Sequence, residues 1–248
     1  STFDIDQDGS PTCAFLATLS SVARTTGESD DLVKRIQYDA NKNLYGITFC
    51  TKAAVEITVF GKTRTLVSAE YKTVWVNGDW TEGRDPGGKM WVTLYQKAYL
   101  QLLGATTRDG SGTALHSDSW KAAPGKEWNN VANTYLALTG KVASFVKSAE
   151  ATAQTMFDQF AASRRGMVAS SLDSGTSAGV IANHCYSVYN VFKDANGNWM
   201  VRLRNPWARD GRDGALNDLN SNLKSNIDND GLITLTWSQF TANFRGYY

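Results

Sequence analysis

The chain of 248 residues is poor in several residue types that mark particular protein classes. Three cysteines are too few for a disulfide framework, and two histidines leave only two candidates for a catalytic base. A net charge of +1 gives no reason to expect nucleic acid or an anionic membrane as a partner. No apolar run approaches membrane-spanning length, so we expect a soluble protein without membrane insertion, and the sequence favours neither secretion nor the cytoplasm.

Aromatic residues, in contrast, are plentiful. Eight tryptophans, ten tyrosines and ten phenylalanines indicate a packed globular protein, and the length suits two lobes of somewhat more than a hundred residues each. Helical periodicity is predicted at 29–40, 90–104, 129–140 and 151–166, strands at 47–79 and again after 166, and a long loop at 105–127.

A cysteine opens the first apolar helix. In residues 3–23, Ser10 is the predicted N-cap and Pro11 a first-turn proline, so Cys13 falls in the first turn. The positive end of a helix stabilises a thiolate, which is the nucleophilic form of cysteine. The apolar positions that define the helix are Phe15, Leu16, Leu19, Val22 and Ala23.

Gln7 lies six positions before Cys13, across a tight turn. From there its side-chain amide can donate to an oxyanion beside the Cys13 backbone N–H. The alternative for Cys13 is a small buried hydrophobic residue without chemistry, which is the commoner role of a free cysteine.

A β-hairpin is predicted to bring a base and an amide together. His184 opens an apolar strand, a DANGN turn follows, and the second strand ends at Asn205, before Pro206. Asn205 can then accept the imidazole N–H and hold the ring of His184. The alternatives are a half-buried strand histidine and a turn asparagine. Strand alternation predicts that Cys185 faces away from this site.

The segments around Cys13, His184 and Asn205 resemble the calpain family of cysteine peptidases, in the papain-like clan. The similarity covers the protease core in the order Cys, His, Asn, and its motifs are QDGSPTCAFLA, NHCYSV and VRLRNPWA. Two further segments are similar to the tryptophan-led helix and the closing segment of that core, namely MWVTLYQKAYLQLLG and DGLITLTWSQFTANF.

The predicted fold is α+β, and the resemblance implies a two-lobed papain/calpain-like protease core. Residues 1–140 would form a mainly helical lobe with Gln7 and Cys13. Residues 141–248 would form a mainly antiparallel β lobe with His184 and Asn205, and the active site would be the cleft between the lobes. Trp207 matches the family's tryptophan beside the triad and is either a shield over the His–Asn hydrogen bond or a core aromatic.

Around the nucleophile the chain departs from the family. It has Pro11, Thr12 and Ala14 where the family has glycine, aspartate and tryptophan. The prediction is a cysteine endopeptidase that acts on protein or peptide substrates through a thioester. The alternative is a catalytically weak calpain-fold module that binds peptides or partners. A third reading is another acyl transfer, such as transglutamination.

Further expectations concern processing and assembly. We expect a monomer, and a longer precursor that cuts itself before Ser1 or in the loop at 105–127, although Ser1 is also compatible with an artificial end. His116 in that loop has no neighbouring acid or cysteine pattern, which indicates a solvated residue.

No cofactor is expected to be required. Two stretches resemble half of a calcium loop, but counting to the twelfth position reaches Phe15 and Trp237, which cannot bind the ion. The family's usual calcium motifs have no clear counterpart, so activity without calcium is predicted. The weak calcium candidates are Asp4, Asp6 and Asp8, and Asp228 and Asp230.

Overall fold

The structure is a computed structural model, and it describes residues 5, 7, 12–25, 27–78, 90–104, 106–107, 120–121, 130–163, 166–208 and 231–248. Its mixture of helices and antiparallel sheets agrees with the predicted α+β class. The first elements are α1 (Cys13–Arg24), α2 (Glu28–Lys34), β1 (Ile36–Asp39), β2 (Leu44–Lys52), β3 (Val55–Val59), β4 (Lys62–Val67), β5 (Glu70–Val76), α3 (Met90–Leu102), β6 (Thr106–Thr107), β7 (Trp120–Lys121) and α4 (Val131–Thr139).

The second part of the chain is richer in long strands. It consists of β8 (Val146–Lys147), a 3-10 turn (Ser148–Glu150), α5 (Ala153–Ala162), β9 (Val168–Ser171), β10 (Cys185–Lys193), β11 (Trp199–Arg204), β12 (Leu232–Thr236), α6 (Trp237–Asn243) and β13 (Phe244–Tyr247).

Helix α1 is buried along almost its whole length. Leu16 and Leu19 are inaccessible to solvent, and Phe15 stacks on Tyr99 of α3 with ring centroids 4.4 Å apart. Truncating a leucine in such a position costs about 2–5 kcal/mol, because the cavity left behind closes only in part. This packing fixes the axis of α1 and, with it, the position of Cys13.

The second helix is shorter than the sequence predicted. It ends at Lys34, and the following residues form β1, which pairs antiparallel with β2. Ile36 lies opposite Ile47, and the rings of Tyr38 and Tyr45 lie 4.8 Å apart. Cross-strand pairs of this kind outweigh the helical pattern of the local sequence. Strands β1, β2 and β5 make one three-stranded sheet.

Strands β3 and β4 form an exposed hairpin. They join at Phe60 and Gly61, which have φ values of 50° and 74°. Positive φ at both central residues is typical of the mirror-image turns that suit the twist of a two-residue hairpin. The side chain of Phe60 is fully exposed.

The largest sheet carries the elements that matter for the site. It is antiparallel with the order β12-β11-β10-β9-β13-β8. Strand β10 lies between β9 and β11, with Cys185 opposite Ser170 and Ser187 opposite Arg204. The β10–β11 hairpin thus has the predicted pairing, which brings the residues before β10 and after β11 to the same end of the sheet.

Two clusters of buried apolar residues fill the interior. The first is built mainly from α1, α3, α4 and the three-stranded sheet, and Val168 and Cys185 of the large sheet also belong to it. The second lies between the large sheet and helices α5 and α6. The boundary at residue 140 and the cleft between two lobes stay predictions. Among the described helices, none has the length and apolar character needed to cross a bilayer.

Candidate active site

Cys13 is the first residue of α1. Its N-cap is Thr12, whose carbonyl accepts the first intrahelical bond from Leu16 at 2.9 Å. The predicted N-cap, Ser10, is therefore wrong, because the helix begins two residues later. The Thr12 hydroxyl does not cap the helix and instead accepts a hydrogen bond from the Gln96 side chain in α3 at 2.9 Å.

The Cys13 side chain is nearly buried, with 6% of its surface exposed. Its thiolate is nevertheless favoured. A hydrogen bond from the Cys185 thiol is the largest influence that holds the pKa of Cys13 well below its ordinary value, and a hydrogen bond and positive charge from His184 add to the lowering. Burial acts in the opposite direction. The helix N-terminus also favours the anion.

His184 is fixed by backbone contacts immediately before β10. Its N–H donates to the Ser171 hydroxyl at 2.9 Å, and that hydroxyl donates to the His184 carbonyl at 3.0 Å. The Ser171 N–H donates to the same carbonyl at 2.9 Å. The main chain of His184 is thus held on both sides by one residue at the end of β9, and only 5% of His184 is exposed.

Asn205 follows β11 and is completely buried. Its Oδ1 lies 2.9 Å from His184 Nε2 and accepts the Trp207 backbone N–H at 3.0 Å. A backbone N–H can only donate, so this contact identifies the atom facing it as the amide oxygen. The oxygen in turn requires a proton on Nε2 of His184. The other ring nitrogen, Nδ1, is left for the Cys13 thiol.

Two aromatic rings enclose the imidazole. The Trp207 indole lies 4.7 Å from the His184 ring, between centroids, and the Tyr186 ring meets it edge-on at 5.1 Å. The Tyr186 hydroxyl accepts the Ile181 N–H at 2.8 Å, which holds the tyrosine ring in place. An apolar enclosure of this kind keeps water from competing for the His184–Asn205 hydrogen bond.

Gln7 is brought to the same end of the sheet. Its N–H donates to the Pro206 carbonyl at 2.7 Å, and its side chain is buried. The buried guanidinium of Arg204 donates through Nη2 to the Ile5 carbonyl at 2.9 Å. These contacts fasten the segment before α1 to the segment that carries Asn205.

Cys185 lies against the site, so the prediction that it faces away was wrong. Alternation applies inside a strand, whereas β10 begins only at Cys185 and the backbone of Asn183 is left-handed, with φ of 51°. His184 and Cys185 both lie close enough to Cys13 to lower its pKa. The contact raises the pKa of Cys185, and burial adds to that effect.

The family model described as calpain family cysteine protease matches residues 1–245. This chain belongs to the calpain family. It is accordingly a cysteine peptidase domain by family, although no curated protein matches it.

Several candidates in this calpain-family chain lie outside the described residues. They are Ser1, Pro11, His116 and the five weak calcium candidates, Asp4, Asp6, Asp8, Asp228 and Asp230. Within 105–127, predicted as a loop, the two-residue strands β6 and β7 pair antiparallel. In the described part of the chain, no group of three His, Cys, Asp or Glu side chains is arranged to hold a metal ion.

Sequence reasoning missed two residues that shape the site of this calpain-family protein. Ser171 holds the backbone of His184 from a strand that lies 13 positions earlier, and no local pattern marks it. Cys185 could have been noticed from its place directly after His184. The rule of strand alternation excluded it, because that rule was applied from His184, which lies before the first residue of β10.

Proposed function

We propose that this calpain-family protein is an endopeptidase in which Cys13 is the nucleophile and His184 the general base. Asn205 orients the base, and Gln7 together with the Cys13 N–H stabilises the oxyanion. One observation carries the proposal. The Asn205 oxygen accepts from both the Trp207 N–H and His184 Nε2, which leaves Nδ1 of His184 for the thiol.

The reaction follows from these protonation states. His184 takes the proton of Cys13, and the thiolate attacks the peptide carbonyl to give a tetrahedral oxyanion. When the C–N bond breaks, His184 returns the proton to the leaving amine and a thioester remains on Cys13. Water, deprotonated by His184, then attacks the thioester and releases the acid, so the enzyme is restored.

Trp207 and Asn205 both support this cycle, because Trp207 covers the imidazole of His184 and Asn205 orients it. Asn205 accepts a hydrogen bond from imidazole and imidazolium alike, so the ring keeps its orientation while it gains and loses a proton. The short backbone contact from Gln7 to Pro206 supports the role of Gln7, because it keeps the oxyanion donor beside the segment that orients the base.

The proposal also includes activity without calcium and processing of a longer precursor by the enzyme itself. Neither step needs a residue beyond those named above, because the Cys13–His184 contact is already made. A nucleophile and a base that already lie together require no ion to bring them into contact.

A peptide probe with a thiol-reactive group tests the proposal directly. We expect covalent labelling of Cys13 that competes with peptide substrate and disappears in Cys13→Ala. Cys50→Ala, which removes another buried thiol, is the matched control and should leave labelling unchanged. Absence of labelling in a folded protein would favour the peptide-binding module instead, and mass analysis of the products would identify any transfer of the acyl group to an amine.

A further inference from the structure

One buried hydrogen bond fixes how strand β10 lies along helix α1, near the start of both elements. The Ser187 hydroxyl donates to the Ala17 carbonyl at 2.9 Å, in a buried contact between β10 and α1. Cys185 precedes Ser187 by two strand positions, about 6.6 Å, and Cys13 precedes Ala17 by four helical positions, about 6 Å. The anchored pair therefore sets the two cysteines opposite one another in the same buried cluster, and the Cys185 thiol is close enough to lower the pKa of Cys13.

The surroundings hold the second thiol in place. Cys185 lies directly opposite Ser170 in β9, and the Ser170 hydroxyl is 3.7 Å from the Cys185 sulfur. Both cysteines belong to the first apolar core, and only 7% of Cys185 is exposed. The third cysteine, Cys50, lies in β2, where its thiol donates to the Lys52 carbonyl at 3.1 Å.

We propose that Cys185 is a resolving thiol, which closes a reversible disulfide with Cys13 when a hydroperoxide oxidises the protein. The effect on turnover rests on the proposed role of Cys13 as nucleophile, whereas formation of the bond does not. A hydroperoxide is far smaller than the peptide that the proposed reaction brings to Cys13.

The chemistry proceeds in two steps. The Cys13 thiolate attacks one oxygen of hydrogen peroxide, the O–O bond breaks, and Cys13 becomes a sulfenic acid while hydroxide leaves and takes up the proton held on His184. Cys185 then attacks the Cys13 sulfur, the S–O bond breaks, and the hydroxyl group leaves as water with the Cys185 proton. Two thiols lose two electrons, and one peroxide becomes two water molecules.

The expected consequence is protection of the nucleophile. A sulfenic acid without a neighbouring thiol is oxidised further to sulfinic acid, which thiol reductants do not restore. The disulfide prevents this further oxidation of Cys13, and a dithiol reductant cleaves the disulfide and restores both thiols. Peroxide would thus inactivate the enzyme reversibly.

Peptide mapping under non-reducing conditions tests the bond itself. The full chain is treated with hydrogen peroxide, its free thiols are blocked with iodoacetamide, and it is digested with an added protease. We expect a cross-linked peptide pair that joins Cys13 to Cys185 and separates on reduction. Oxidised Cys13 with Cys185 still alkylated would overturn the proposal, and so would a cross-link to Cys50.

Recovery of activity tests the consequence. After peroxide and then dithiothreitol, the native protein should regain more than about half of its own untreated rate, and Cys185→Ser less than about a tenth of its own. Cys50→Ser is the matched control and should recover like the native protein. Equal recovery in all three proteins would contradict the proposal, and if none of them cleaves peptides, the peptide map still decides this inference while the proposed function fails.

Discussion

At the scale of single residues, a substitution should reduce turnover more strongly the closer the removed group lies to the reacting atoms. Cys13→Ala and His184→Ala remove the nucleophile and the base, so we expect no measurable turnover. Asn205→Ala removes only the group that orients the ring and should retain a reduced but measurable rate. Steady-state hydrolysis of a peptide substrate gives the three values.

Asn196→Ala provides the control for loss of an asparagine side chain, since Asn196 lies in the exposed turn between β10 and β11. It should hydrolyse the substrate at the native rate. Undiminished proteolysis by purified Cys13→Ala would contradict the mechanism as a whole.

Gln7 contributes to a different step. Gln7→Ala should lower the acylation rate by roughly two to three orders of magnitude, as is usual when one oxyanion donor is removed. Its backbone bond to Pro206 does not involve the side chain, so the fold should be retained. Single-turnover kinetics with an ester or peptide substrate measure the step, and Gln37→Ala, on exposed β1, is the comparison. An unchanged acylation rate would exclude Gln7 from the oxyanion site.

At the scale of elements, the contact between α1 and β10 sets the pH range of the thiolate. Because the pKa of Cys13 is lowered, chiefly by the Cys185 thiol, its alkylation should stay fast at pH values well below the range of an ordinary thiol and fall only when the pH drops through the lowered pKa. In Cys185→Ala that hydrogen-bond donor is absent, so the alkylation rate of Cys13 should fall at a higher pH than in the native protein.

Rates of alkylation by iodoacetamide across a pH series give both curves. Cys50→Ala should superimpose on the native protein, because Cys50 donates to Lys52 in a different sheet. Identical midpoints for the native protein and Cys185→Ala would show that the Cys185 contact has no influence on the nucleophile.

The elements also show how far the sequence determines the fold and the site. Apolar spacing located α1, α3, α4 and α5, and the DANGN turn identified the β10–β11 hairpin, because these signals are local. The strand at 36–39 depends on pairing with β2, and the support of His184 depends on Ser171 in another strand. Contacts of that kind join distant parts of the chain, and no window of adjacent residues contains them.

At the scale of the whole molecule, we expect activity that does not depend on calcium. Peptidase rates in a chelator and in millimolar calcium should agree within about twofold, a coupling below about 0.5 kcal/mol. The physical reason is that His184 and Cys13 are already in contact, so the ion has no rearrangement to promote. Activation by tenfold or more in a calcium titration would reveal a site that supplies such a coupling.

Self-processing is the second expectation for the whole molecule. A longer form of the chain, extended before Ser1, should be cut there or within 105–127, where the sequence is rich in the small and polar residues typical of preferred cleavage sites. The same form with Cys13→Ala should remain intact in gel electrophoresis and mass analysis. Identical fragments from the two forms would mean that another protease produced them.

The bond from Ser187 to Ala17 joins positions that are 170 residues apart in the chain. Closing a loop of that length costs conformational entropy before any contact compensates for it, so such pairings form slowly and late. Helix α1 can coil earlier from its local sequence, but the thiol at its start then faces no imidazole. We therefore expect the thiol of Cys13 to gain its neighbouring imidazole only when contacts between distant parts of the chain have closed, so that the site is assembled late in folding.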